Sequence, residues 1–206
     1  MTYDPVKHHL RSIRLKGYDY SQAGLYFITI CTQNRSCLFG KIENGEMILN
    51  DAGIMVKKWY YELENKYPDK RCHEMVVMPN HFHCIIENIS TNATMMDARV
   101  GAPLRGHPEN NERRRPENDE RGRSDNNYGI DNIKYKATIG DAMDWYKTMT
   151  TNEYIRGVKK NNWQPFDKKI WQRNYYEHII RNEQSYRKIS EYIINNPANW
   201  DNDTLK

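Results

Sequence analysis

Two hydrophobic periods run along this chain, and they switch at regular intervals. "GLYFITICTQNR" (residues 24–35) is a run of β-branched and aromatic residues that predicts a strand. In "CLFGKIENGEMILN", the pair Asn44-Gly45 predicts a tight hairpin turn between two short strands. From residue 51 the period changes: Ile54, Val56, Trp59, Tyr60 and Leu63 recur at helical spacing, with Asn50 or Asp51 available as the cap. "HEMVVM" and "HFHCIIENI" predict two strands joined by a turn at Pro79-Asn80. A helix is predicted over residues 139–159, a last strand over residues 168–180 ("KKIWQRNYYEHII") and a last helix over residues 182–197. Asn182 caps that helix, and Pro197, which disfavours helical geometry at Asn196, marks its end. Apart from the hairpin's extra strand, the order is strand, helix, strand, strand, helix, strand, followed by the terminal helix. That is the α+β, ferredoxin-like split βαβ pattern: one antiparallel sheet with helices packed on one face.

One stretch interrupts this order. Between about residues 90 and 132 lies "PENNERRRPENDERGRSDNN", without one aliphatic side chain. So polar a segment buries too little apolar surface to offset its ordering entropy, which predicts a disordered insertion. The expectation is therefore a single domain over residues 1–206, with its core at about 11–200 and this insertion within it. At 206 residues such a core is physically reasonable.

Composition narrows the class only a little. The formal charge of +4 and pI near 8.7 fit a nucleic-acid partner but also many ordinary enzymes. Tyrosine is abundant, 15 against four phenylalanines, and suits both stacking surfaces and core edges. Cys31, Cys37, Cys72 and Cys84 form no CxxC pair or zinc-finger spacing. The opening residues have no signal-peptide pattern, and no run reaches the ~18 apolar residues of a membrane helix. A reduced, cytoplasmic protein without a membrane partner is expected.

The chemistry-bearing signal sits in "MVVMPNHFHCII". In a strand, alternate residues share a face, so His81 and His83 lie together with Phe82 opposite. Such a pair can be a metal site, a proton relay or a polar surface. As a metal site it would leave positions open for substrate. On the last helix Tyr186, Ile189 and Ile193 make the apolar stripe, while Lys188, Tyr192 and Asn196 follow one another by single turns on a neighbouring stripe. Tyr192 there is either a boundary residue or a nucleophile.

Together "VVMPNHFH", "IWQRNYYEHIIRN" and "EYIINNPANW", with the opening "RSIRLKGYDYSQAGLYFITICT", resemble the REP-associated tyrosine transposases of the single-tyrosine HUH superfamily. The resemblance implies a metal-dependent endonuclease and strand transferase that cleaves single-stranded DNA at hairpin-forming repeats through a covalent 5′-phosphotyrosine. It assigns His81 and His83 as metal ligands, Tyr192 as the catalytic tyrosine and Asn196 as an amide-oxygen ligand. The implied cofactor is a divalent ion, Mg²⁺ or Mn²⁺, and the partner is single-stranded or hairpin DNA, bound by a monomer or homodimer. Arg11, Arg14 and Lys16 match the family's basic start. Arg173 and Arg181, flanking the last strand, and Lys188, one turn before Tyr192, are candidates for phosphate contact. Tyr154 is assigned to packing or DNA contact, and Tyr175, Tyr176 and His178 divide between core and DNA surface. Glu74 is a candidate to orient an imidazole. Two rivals remain: a nucleic-acid-binding module of the same fold without catalysis, and a hydrolytic histidine phosphoesterase.

Overall fold

The computed structural model describes residues 18–89 and 136–206. Arg11, Arg14, Lys16 and the polar segment expected at residues 90–132 lie outside the described residues.

Among the described residues, six strands and three α-helices form in the expected order. Strand β1 is Gly24–Cys31, and β2 (Gly40–Glu43) and β3 (Glu46–Leu49) form the hairpin. Asn44 (φ 51°) and Gly45 (φ 78°) both take positive φ at its turn, the geometry for which an Asn-Gly pair is suited. This hairpin makes a two-stranded sheet of its own. Helix α1 (Asp51–Lys66) starts where the Asn50 side chain accepts the Gly53 N–H at 2.9 Å. Strands β4 (Lys70–Val77) and β5 (His81–Asn88) follow. Helix α2 (Ile139–Lys160) opens with a reciprocal capping box between Thr138 and Asp141. Strand β6 (Tyr176–Ile180) and helix α3 (Glu183–Asn195, capped by Asn182) complete the set.

The main sheet is antiparallel throughout, in the order β4-β5-β1-β6. Tyr26, Ile28 and Ile30 of β1 and Phe82, Cys84 and Ile86 of β5 face helices α1 and α2, making the main core with Val56, Tyr60, Leu63, Met143 and Tyr146. Burying a tyrosine requires an answer for its hydroxyl: Tyr60 donates to the Ile85 carbonyl at 2.5 Å and Tyr146 to that of Val56 at 3.2 Å. Tyr154 is core as well, its hydroxyl donating to the Gln164 carbonyl.

The two helices of the split βαβ unit share that face, and the terminal helix α3 takes the other. Ile193, with Tyr186 and Ile189, covers Phe27, Ile85 and Ile180. Strands β1 and β5 are thus covered on both faces, which is why they read as nearly continuous apolar runs. Ile54, on the expected apolar pattern of α1, is exposed, whereas Ala52 and Met55 are buried.

Two predicted boundaries move. The strand expected over residues 168–180 pairs regularly only from Tyr176; before it, Trp171 makes an isolated bridge with Thr32, and residues 172–175 stand opposite only Ile30 and Cys31. Trp171 is held by burial, its ring tilted against Phe39 at 5.1 Å and its indole N–H donating to Thr150 at 2.9 Å. Asn196 keeps helical angles (φ −57°, ψ −43°) despite preceding Pro197, which opens a 3₁₀ turn, Pro197–Asn202, instead of sending the chain away. Pro197 therefore tightens the helix end, and that keeps Asn196 pointed inward.

The described segments on either side of residues 90–135 meet at one buried residue. Asp69 accepts the Ile89 N–H on its carbonyl (2.8 Å) and the Lys136 N–H on Oδ2 (2.7 Å), while Oδ1 pairs with the buried Lys70 ammonium at 3.0 Å.

Candidate active site

The site forms between the sheet's second face and α3, closed at one end by the C-terminal residues. His81 and His83 occupy alternate positions of β5 and are 0% and 1% exposed, their ring centroids 4.6 Å apart. Neighbouring strands define their surroundings. His83 lies opposite Thr29 of β1, whose hydroxyl is 2.7 Å from Nδ1, and its ring stacks on Phe27. Trp200, from the 3₁₀ turn, stacks over His81 at 6.1 Å.

Hydrogen bonding fixes the His81 tautomer. Asn80 donates its amide N–H to the Leu205 carbonyl at 2.8 Å, which orients its own oxygen toward His81 Nδ1 at 2.7 Å. An amide oxygen only accepts, so the His81 proton is on Nδ1 and the Nε2 lone pair faces the site. Burial pushes the His81 imidazole down to about 4, outweighing the pull of Asp203 and of the Asn196 side chain. Burial, with His81 beside it, holds His83 well below the ordinary range too. Both rings are neutral donors at physiological pH.

What faces these lone pairs is unusual. Asp203 Oδ2 lies 3.5 Å from His81 Nε2, and both atoms are buried without a hydrogen-bond partner. Asn196 Oδ1, on a residue 3% exposed, is likewise unpartnered. A carboxylate oxygen facing an unprotonated imidazole nitrogen is repulsive unless a cation lies between them. His81, His83 and Asp203 each offer a ligand atom, all within 4.8 Å of one another. Nitrogen and oxygen donors in this mixture suit a divalent ion such as Mn²⁺. The residues present therefore fit a divalent metal, with Asn196 and Asp203 both in position to complete the histidine pair.

Tyr192 lies at the mouth. It is 46% exposed, and its Oη is 3.3 Å from His83 Nε2. Burial of the rest of the ring, then the Asp203 charge, raises its phenol above the usual range, with the Asn196 side chain opposing. Lys188, Arg173 and Arg181 are exposed and stand outside the buried cluster. Glu74 does not orient an imidazole: it accepts the Tyr186 hydroxyl (2.9 Å to Oε2), anchoring the first half of α3 on β4. Asn80, expected only as a turn residue, is the group that orients His81. Asp203 and Thr29 were not anticipated either; Thr29 followed from strand register alone, and nothing in the terminal "DNDTLK" signalled Asp203.

No family model matches the sequence. An uncharacterized protein of Haemophilus influenzae (strain ATCC 51907 / DSM 11121 / KW20 / Rd) is 41% identical over 203 residues, 98% of this chain and 96% of that one. Among solved structures, a REP-associated tyrosine transposase bound to a REP hairpin superposes with a TM-score of 0.50 at 20% identity, over 91% of this chain and 73% of the other. No helix of the described residues is long and apolar enough to cross a membrane. The chain belongs to one family with the Haemophilus protein, and its fold is that of the REP-associated tyrosine transposases its motifs resemble.

Proposed function

We propose that this protein is a transposase-type, metal-dependent nuclease and strand transferase for single-stranded, hairpin-forming DNA, with Tyr192 as nucleophile. One observation carries the reading: the Tyr192 hydroxyl lies 3.3 Å from His83 Nε2 at the edge of a buried set in which His81 Nε2, Asn196 Oδ1 and Asp203 Oδ2 have no partner. His81 and His83 would hold the metal through Nε2, with the Asn196 amide oxygen or the Asp203 carboxylate as third donor. When bound, that ion supplies positive charge to the scissile phosphate and favours ionisation of a nearby phenol.

The chain's own residues do the rest. Asn80 and Thr29 keep the Nδ1 atoms engaged so that both Nε2 atoms face inward. Glu74 holds α3 through Tyr186, which keeps Tyr192 at the site. The Tyr192 oxygen attacks phosphorus as its proton leaves to solvent, toward which the ring is half open. The bond to the 3′-oxygen breaks, that oxygen departs and takes up a proton as the 3′-hydroxyl, and a 5′-phosphotyrosine remains. Attack by a second 3′-hydroxyl reverses the step and transfers the strand.

Labelled hairpin oligonucleotides with single-stranded flanks, incubated with Mn²⁺, give a covalent protein–DNA species on denaturing gels. Tyr192→Phe gives none yet still binds. Cleavage without an adduct identifies the hydrolytic rival, and binding with no cleavage under any metal identifies the non-catalytic module.

A further inference from the structure

Among the described residues, helix α3 lies over β4 and β5 and covers Phe27 of β1 and Ile180 at the end of β6, while Tyr176 and His178 of β6 are exposed on the same face. Register shows what it presents. Thr29 of β1 lies opposite His83 on one side and Tyr176 of β6 on the other, so the three residues form one row across the sheet. Tyr176 is therefore two strand spacings, about 10 Å, from His83 on the same face. Its ring is 46% exposed, as exposed as Tyr192. Phe27 joins the two: it meets Tyr192 edge-on at 6.1 Å and 87°, and Tyr176 at 6.2 Å and 68°. Tyr175 provides the contrast, being half-buried against the main core with the Lys147 ammonium 5.2 Å above its ring.

We propose that Tyr176 stacks a nucleobase of the single strand beside the scissile phosphate, so that the strand runs from the metal site across Phe27 to the edge of the sheet. This rests on the transposase reading and names a substrate contact within it. An exposed aromatic continuous with a phosphodiester site is the platform that single-stranded nucleic acid uses, because every base offers a π-face. The local charge is compatible: Arg173 and Arg181, both exposed, flank β6 in the chain. The polar alternative for an exposed β-strand tyrosine, contact through its hydroxyl, makes a different prediction.

Binding measured without metal, so that no cleavage intervenes, separates these cases. Fluorescence anisotropy with a fluorescein-labelled oligothymidylate is expected to show binding weakened roughly tenfold by Tyr176→Ala, the effect of about 1–3 kcal/mol for one stacked base. Tyr176→Phe binds as the natural chain does. On the unmutated full chain, an oligonucleotide carrying 5-iodouracil photo-cross-links to the peptide containing Tyr176, a readout that stands even if the alanine variant folds poorly. Unchanged binding by a folded Tyr176→Ala, equal losses in the Ala and Phe variants, or a cross-link confined to other peptides overturns the proposal. Failure to form a Tyr192 adduct, with these stacking results intact, overturns the nuclease reading instead.

Discussion

Phe82, Cys84 and Ile86 point to one face of β5; His81, His83 and Ile85 point to the other; all six are buried. The two faces are equally dry and unequally satisfied. On the helix-covered face, the hydroxyls of Tyr60 and Tyr146 each find a carbonyl. On the α3 face, His81 Nε2, Asn196 Oδ1 and Asp203 Oδ2 find none, at a cost of about 1–3 kcal/mol for each such buried group. The helix-covered face is not wholly satisfied either, since Asn88 Oδ1 lacks a partner there; what sets the α3 face apart is that the ligand atoms of His81, His83 and Asp203 come within 4.8 Å of one another, an arrangement that fits a cation.

The contrast can be broken most severely at Tyr192. Tyr192→Phe is expected to remove the covalent adduct to below detection on denaturing gels, with thermal stability unchanged because the hydroxyl stands at a half-exposed mouth. Next in size is a blow to the helix-covered face: Phe82→Ala is expected to lose about 3–5 kcal/mol in urea denaturation, the usual cost of an aromatic removed from a packed core. The α3 face responds to ligand instead. At Mn²⁺ concentrations about a hundredfold above Kd, thermal shift and denaturation report a gain of about 2.7 kcal/mol, absent from a His81→Ala, His83→Ala double variant. Asp203→Asn, which removes the charge but keeps the shape, is expected to weaken Mn²⁺ binding about tenfold, roughly 1.4 kcal/mol, by isothermal titration; unchanged affinity leaves Asn196 as the third donor. Smallest, Tyr186→Phe is expected to cost about 1 kcal/mol of stability and to slow adduct formation, since it frees α3 from Glu74.

Most of the sheet was legible because its signals are local. The Asn44-Gly45 turn, the Asn50, Thr138 and Asn182 caps and the alternation in "HFHCII" each act within a few residues of where they are read. Residues 168–175 misled because Ile170, Trp171 and Tyr175 carry strand-like chemistry while serving burial: Trp171 plugs the core without continuing the ladder. Within the site, His81, His83 and Tyr192 were visible through spacing and resemblance. Asp203 was not, because its place depends on a return of the chain secured at Leu205, whose carbonyl is held by Arg35 (2.6 Å) and Asn80 (2.8 Å). A contact between residues so far apart leaves no periodicity to read. Asn80 hid differently, since a turn asparagine is expected before a strand whether or not it also directs an imidazole.

The Asp69 junction has a practical corollary. Because one aspartate grips the chain both where it departs at Ile89 and where it returns at Lys136, the two points are neighbours whatever connects them. A flexible replacement for the connection then costs little to lengthen, about 0.6 kcal/mol for each doubling. The junction is a natural splice port: a shorter bridge, a purification handle or a fluorescent reporter can be grafted there while the histidines and tyrosine keep their positions.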